Sequence, residues 1–357
     1  MSPSTEAIAA LVASVSRAPD EIARREAFAQ GFATLRGTLD LHPRGSKPSA
    51  TFEAAARTAR TVAADCLPLG LAVVMHLYPL CTLRCVPLPW MSRAHARRSR
   101  LLSDIDRRGL IVANAGSERG SGAHAPVMLT RTSWGLRVDG TYDYVSLANV
   151  ADLVLFNAPL AAADTTMFCV ASLRAGSTHI GDPKFAGSMR LSDTCPVRFD
   201  AHLVPSGRHL EVPSHAALSC MAQYQRSWFQ LLLGEAYLAR LGRLRETWSI
   251  SRTTEDVASL NELALMKDYA LRLLDEAASP AVIENLGRVT NAMKLRASWQ
   301  AQAAAAAVRE YDDIAAKELG YLRMQPTSDE RIVRSLWNAP GTGYRMESAV
   351  ACSTALS

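Results

Sequence analysis

The sequence predicts an α+β architecture in three parts. These are a helical N-terminal domain over residues 1–112, a central antiparallel β domain over 113–213 and a C-terminal helical bundle over 214–357. Three observations point to it. The first hundred residues carry helix-period apolar stripes and Ala-rich runs. Between Met128 and Val204, short alternating or β-branched segments are bounded by Gly, Asp and Pro. From about Ser214, long uninterrupted helical stretches return.

In the N-terminal part, Phe28, Phe32, Leu35 and Leu39 build one apolar stripe at helical spacing. Leu41 to Ala50 carries Pro, Gly and Ser and reads as a loop. Thr51 to Cys66 is an Ala-rich helix. Leu69 to Leu83 is apolar nearly all round, which predicts a central, buried helix. The wider apolar segment from Ala63 to Leu83 contains Asp65, His76, Pro68 and Pro79, so a buried helix fits it better than a membrane span. His76 within it reads as a hydrogen-bonded core histidine. Pro87 to Trp90 breaks the run, and Ala94 to Arg108 gives a charged, solvent-facing helix. No basic region precedes an apolar core at the N-terminus, and Glu6 comes early, so no signal peptide is predicted.

The pattern changes from Leu110. Met128–Thr132 alternates, and Trp134 to Gly140 reads as a turn and a strand. Val150 to Phe156, Thr166 to Ser172 and Arg198 to Val204 are further strand candidates, together predicting a compact antiparallel sheet or barrel. Helices are then predicted over Trp228 to Thr247, Thr254 to Ala278, and Pro280 to Tyr311 and beyond. The run Ala301 to Ala307 favours the last of them. The tail from Gln325 is rich in Pro, Gly and Ser.

Composition narrows the function. The 357 residues are 48% hydrophobic and 20% charged, with a net charge of +5. The densest basic cluster, Arg93 to Arg100, is short enough to be a solvated helix end, so a phosphate-bearing cofactor or substrate is favoured over nucleic acid. Seven cysteines are scattered without a repeated spacing. Cys81 and Cys85 lie one helical turn apart, but no paired His/Cys set accompanies them. No metal is therefore expected, and these read as buried thiols of a cytoplasmic protein.

Four local motifs follow one another. Ser117-Glu118-Arg119-Gly120-Ser121-Gly122-Ala123-His124 is a Gly-rich turn. Asp139-Gly140 precedes Tyr144-Val145-Ser146 by four residues. Lys184-Phe185-Ala186-Gly187-Ser188-Met189-Arg190 leads on to Val204-Pro205. Gly320-Tyr321, Pro326, Arg331 and Gly341-Thr342 lie near the C-terminus. A Gly-rich turn can aim backbone N–H groups at phosphate oxygens or at the edge of a flavin ring. Taken alone, the turn and the tyrosine fit any β sandwich; in this order and spacing they favour a flavin site.

In this order the motifs resemble the acyl-CoA dehydrogenase family: its T-E-P-G-x-G-S-D turn, its N-G-x-K-x-W-I-T segment, the close of its β domain and its final helices. The resemblance covers nearly the whole chain. It implies FAD as cofactor, with Ser117 at the pyrimidine edge of the isoalloxazine and Gly120, Ser121, Gly122 and Ala123 facing the pyrophosphate. It puts Tyr144 in place of a tryptophan against the ring, with Val145 beside it. Ser146 replaces a threonine and keeps its hydroxyl donor, and Gly341 and Thr342 join the cofactor contacts.

The chain also departs from the family. Pro340 stands where most members carry, before Gly-Thr, the glutamate that abstracts the α-proton. Losing such a base costs about 10²–10⁴ in rate. Glu246 and Glu347 are candidates for a relocated base, although Glu246 also reads as a surface carboxylate at a helix end. Ser249 to Arg252 and Ile314 to Glu318 replace the family's R-x-x-F-G and Q-x-x-G-G, which touch the cofactor across a subunit interface. The adenosine half of FAD is then held differently or less tightly. His124 replaces an aspartate, as a polar turn residue or a contact to phosphate or substrate. Met324 stands where many relatives carry a glutamate.

A kept flavin face and a lost base predict an O₂-using oxygenase or oxidase, acting on an acyl-CoA or a related aromatic or acyl intermediate of specialised metabolism. A separate flavin reductase is a candidate partner. Nucleic acid and membrane are not expected partners. The alternatives are a dehydrogenase with a relocated base, and a flavin-free homologue. The resemblance implies a homodimer or homotetramer packed through the C-terminal helices.

Overall fold

A computed structural model describes residues 3–311 apart from 88–92, 116–126, 162–165, 186, 212–214, 252 and 310, together with Leu319. Five helices come first: α1 (Pro3–Arg17), α2 (Glu21–Arg36), α3 (Pro48–Asp65), α4 (Leu67–Cys85) and α5 (Arg93–Arg108). Asp20 caps α2 by accepting from the Ala23 N–H. Pro48 opens α3, so this helix starts within the stretch expected to be loop. Cys66 is extended and Pro68 sits in the first turn of the next helix, which separates α3 from α4. The two helices then pack closely. A Cβ added at Gly70 would lie 2.5 Å from Ala63 Cβ, so only glycine fits there.

Helix α4 is the central helix the sequence predicts, buried on nearly every face. It is long and apolar enough to cross a membrane, but 89% of its apolar window is buried inside the protein. His76 on it is fully buried. Its Nδ1 accepts from the Val112 N–H at 3.0 Å, and its Nε2 lies 2.8 Å from the Leu41 carbonyl. That pair of partners requires the neutral ring with the proton on Nε2. Burial lowers the His76 pKa to about 4, with the neighbouring His42 adding to the shift.

Eight strands follow: β1 (Val112–Asn114), β2 (Met128–Thr132), β3 (Gly135–Val145), β4 (Leu153–Pro159), β5 (Thr166–Ser172), β6 (Thr178–Ile180), β7 (Cys195–Pro205) and β8 (His209–Glu211). They form two four-stranded sheets, ordered β1-β4-β5-β8 and β2-β3-β7-β6. The expectation of a compact antiparallel sheet or barrel is corrected in two respects, since there are two sheets and one pairing is parallel. The second sheet is antiparallel throughout, but β1 runs parallel to β4 in the first. The strands β1, β6 and β8 are three residues long, too short for alternation to announce them.

The first sheet is covered on both faces. Val112, Leu153, Leu155, Phe168 and Val170 pack with Leu80, Leu83, Leu101 and Ile105 of α4 and α5. The alternate residues Ala113, Val154, Phe156 and Cys169 share the main core with Leu129, Val138 and Phe199 of the second sheet. Two buried faces explain why β4 reads as a continuous apolar run.

After the strands, the described residues form α6 (His215–Thr247), α7 (Thr254–Asp275) and α8 (Pro280–Val308). Thr253 and Asp256 form a capping box at the start of α7. Helix α6 packs on α3, α4 and α8. Its Trp228 is fully buried, with Phe52 at 6.2 Å and Tyr224 at 6.4 Å between ring centroids.

Candidate active site

The end of β3 carries the described part of the site. Against β7, Tyr142 pairs with Val197 while Val145 pairs with Cys195, so one extra residue is inserted into β3. The bulge breaks the alternation. Tyr142, Asp143 and Val145 are buried, and Tyr144 is left 46% exposed. The Phe185 ring stands 6.3 Å from the Tyr144 ring, and Lys184 Nζ lies 5.6 Å from its centroid. Lys184 also pairs with Asp143 at 3.2 Å. An open aromatic wall with a cation beside it results.

Just beyond, the chain leaves the ladder at two facing points. Leu147 has φ +60° and Asp193 has φ +48°. Left-handed backbone costs a non-glycine residue of order 1–2 kcal/mol. It is held here by bonds between the segments: Leu147 N–H to Ser192 O at 3.2 Å and Ala148 N–H to Asp193 O at 3.1 Å. Asn149 donates to both carboxylate oxygens of Asp193, at 2.8 and 2.6 Å. Burial raises the Asp193 pKa to about 6, and the Asn149 donors oppose the rise.

Ser146 sits inside this crossing and is buried. Its Oγ is 2.8 Å from Thr194 Oγ1, which is 2.8 Å from Ser192 Oγ. Ser192 in turn donates to the Met189 carbonyl at 2.8 Å. Sequence reasoning named Tyr144 and Ser146 as candidates and did not name Thr194 and Ser192, which the structure sets beside Ser146. The signal available was the short polar string Ser192-Asp193-Thr194 at the start of a strand.

Of the other expected residues, Val145 is fully buried and pairs with Cys195 of β7. Ser117, Gly120, Ser121, Gly122, Ala123 and His124 lie outside the described residues, as do Arg252, Met324, Pro340, Gly341, Thr342 and Glu347. The strand leading into the Gly-rich turn is described. Asn114, at the end of β1, accepts from Gln225 Nε2 of α6 at 2.9 Å. Glu246 is exposed in the last turn of α6. It stands roughly 30 Å along the helix from Gln225 at 1.5 Å per residue. Among the described residues no three His, Cys, Asp or Glu side chains gather into a metal site.

A cavity of about 630 Å³ lies at that far end of α6, lined by Arg245, Ser251, Thr253, Glu255, Arg296 and Gln300 among others. Arg245 pairs there with Asp256 at 2.9 Å.

The described residues fit the ring half of a flavin. A half-exposed aromatic offers a flat apolar face, and a buried hydroxyl next to it offers a polar contact to a ring edge.

Helices on either side of a two-sheet β region make up an acyl-CoA dehydrogenase-like fold. No protein-family model matches the chain, and no curated protein matches it. Solved structures do. The methanesulfinate monooxygenase MsuC from Pseudomonas fluorescens shares 15% identity over 100% of this chain and 98% of its own, with a TM-score of 0.64. FMN-bound TdsC from Paenibacillus sp. A11-2, a dibenzothiophene monooxygenase, shares 18% identity over 94% and 95%, with a TM-score of 0.63. KijD3, solved with FMN and a dTDP-linked amino sugar, shares 18% over 100% and 94%, with a TM-score of 0.57. At these identities the likeness shows the fold.

Proposed function

We propose that this chain is a flavin-dependent monooxygenase acting on a small organic substrate. The observation that carries the reading is Tyr144, held half open by the β3 bulge beside the buried Ser146 hydroxyl. The fold it shares with MsuC and TdsC, each described as a monooxygenase, supports it.

Tyr144 and Phe185 would hold the flavin ring, Ser146 would meet its edge, and the turn Gly120 to Ala123 would take the phosphate. A bound, reduced flavin supplies the electrons that activate O₂. The chain's own residues have the remaining tasks: the Tyr144 and Phe185 rings would fix the ring plane, and Lys184 would place positive charge beside it. No step asks for a proton acceptor at the position of Pro340. A dehydrogenase would need one, and Glu246 stands exposed far down α6.

The cofactor we favour is FMN rather than the FAD the resemblance implies. The segments Ser249 to Arg252 and Ile314 to Glu318 lack the family's adenosine-side motifs, and TdsC and KijD3 were both solved with FMN. Reduced flavin would come from a separate reductase, and the substrate would be an acyl or aromatic compound. Exposed Leu265, Tyr269 and Leu295 on α7 and α8 support assembly through these helices. Thiols outside any disulfide at Cys81, Cys85, Cys169, Cys195 and Cys220 support a reducing, cytoplasmic setting. The test is oxygen uptake by the full chain with FMN, a flavin reductase and NADH. Product formation that depends on an added acyl or aromatic substrate supports the reading. Uptake that never yields an oxygenated product refutes it.

A further inference from the structure

Proton counting along the hydroxyls behind Tyr144 fixes the direction of the Ser146 hydrogen bond. A hydroxyl has one hydrogen to give and can accept through its lone pairs. Ser192 Oγ faces the Met189 carbonyl at 2.8 Å, and a carbonyl only accepts, so Ser192 gives its hydrogen there. Thr194 then has to donate to Ser192, and Ser146 has to donate to Thr194. Ser146, Thr194 and Ser192 are all buried, so water does not compete for these hydrogens. The backbone fixes the chain at both ends, through Leu147 N–H on Ser192 O and Lys184 N–H on Thr194 O at 2.9 Å. Ser146 therefore turns its hydrogen inward and offers outward only lone pairs.

We propose that Thr194 is a positioning residue that makes Ser146 a hydrogen-bond acceptor toward the cofactor, so that the site favours the reduced flavin. The inference rests on the proposed flavin site. The central-ring nitrogens of an oxidised isoalloxazine are acceptors, and reduction adds an N–H donor there. An acceptor-only hydroxyl opposes the first and bonds the second. The sequence reading expected Ser146 to act as a donor; the hydrogen-bond chain reverses that role. A site with this preference takes reduced flavin from a reductase and releases it once it is oxidised.

The experiment is an anaerobic binding titration of the full chain with oxidised FMN and with photoreduced FMN. It is run on the unmodified protein and on Thr194→Val, Thr194→Ser and Ser192→Ala. One hydrogen bond gained against one opposed predicts roughly five- to tenfold tighter binding of the reduced form. Thr194→Val removes the acceptor and frees the Ser146 hydrogen, so the ratio should fall toward equality, and Thr194→Ser should restore it. Ser192→Ala lets the Thr194 hydrogen swing back toward Ser146, so the ratio should fall there too, in a variant that loses only one oxygen atom. A protein that binds both redox forms equally, or a Ser192→Ala or Thr194→Val protein that keeps the full ratio, overturns the role of Thr194 while leaving the flavin site standing. A protein that binds neither form overturns both.

Discussion

Gln225 Nε2 donates to Asn114 Oδ1 at 2.9 Å and so ties helix α6 to the last residue of β1, three positions before the Gly-rich turn begins. The bond fixes the launching point of the segment proposed to hold phosphate. Replacing Gln225 by Leu should cost about 1 kcal/mol of stability, the value of one partly buried hydrogen bond. It should also weaken flavin binding more than its modest effect on the urea midpoint would suggest. A variant with unchanged flavin affinity would separate the turn from this tie.

Tyr144 is half exposed, so truncating it spares the core. Tyr144→Ala should fold normally by circular dichroism yet lose flavin affinity. A ring contact is worth about 0.5–1.5 kcal/mol, so the loss should be roughly three- to tenfold. Tyr144→Trp should retain binding, since a second flat ring replaces the first.

Glu246 separates the two catalytic readings. It is exposed at the end of α6, and the monooxygenase reading gives it no role. Glu246→Gln should leave oxygen-dependent turnover unchanged. Loss of flavin reduction by an acyl-CoA in this variant would instead identify it as the base of a dehydrogenase.

His76 makes the fold sensitive to acid. Its pKa in the folded protein is about 4 against 6.5 ordinarily, so the unfolded chain takes up the proton first as pH falls. Stability is full above pH 6.5 and declines between 6.5 and 4, by up to about 3 kcal/mol. Asp193 acts with the opposite sign. Its pKa is raised from 3.8 to about 6, so its contribution is present at low pH and is lost as pH rises through 6. The two overlap, and the His76 part is isolated by comparison with His76→Gln. Thermal unfolding of that variant should lose the decline below pH 6.5; an unchanged pH profile would remove His76 from the account.

Trp228 anchors the helical packing. It is fully buried against Phe52 and Tyr224, so Trp228→Ala should cost about 3–5 kcal/mol in urea unfolding.

Much of the fold is written in local patterns. The apolar run of α4 and the β-branched and aromatic Thr166–Ser172 show in the sequence because burial on nearly every face leaves a continuous apolar stretch. The start of β4 was expected at Val150 and falls at Leu153, because Leu147 to Val150 turn against Ser192 and Asp193. That contact joins segments more than forty residues apart, so no local period records it. The parallel β1–β4 pair is hidden for the same reason, and its three residues give no alternation. At the candidate site, Tyr144 and Ser146 were named from their spacing, and the structure places them together at the end of β3. The partners that decide what Ser146 can do, Thr194 and Ser192, come together only through the β3–β7 pairing.

The most direct measurement is a fluorescence titration of the full chain and of Tyr144→Ala with FMN. A flavin lying against Tyr144 predicts saturable binding of a single flavin per chain in the unmodified protein and clearly weaker binding in the variant. Failure of the unmodified protein to take up flavin, or equal affinity in the two, would contradict it.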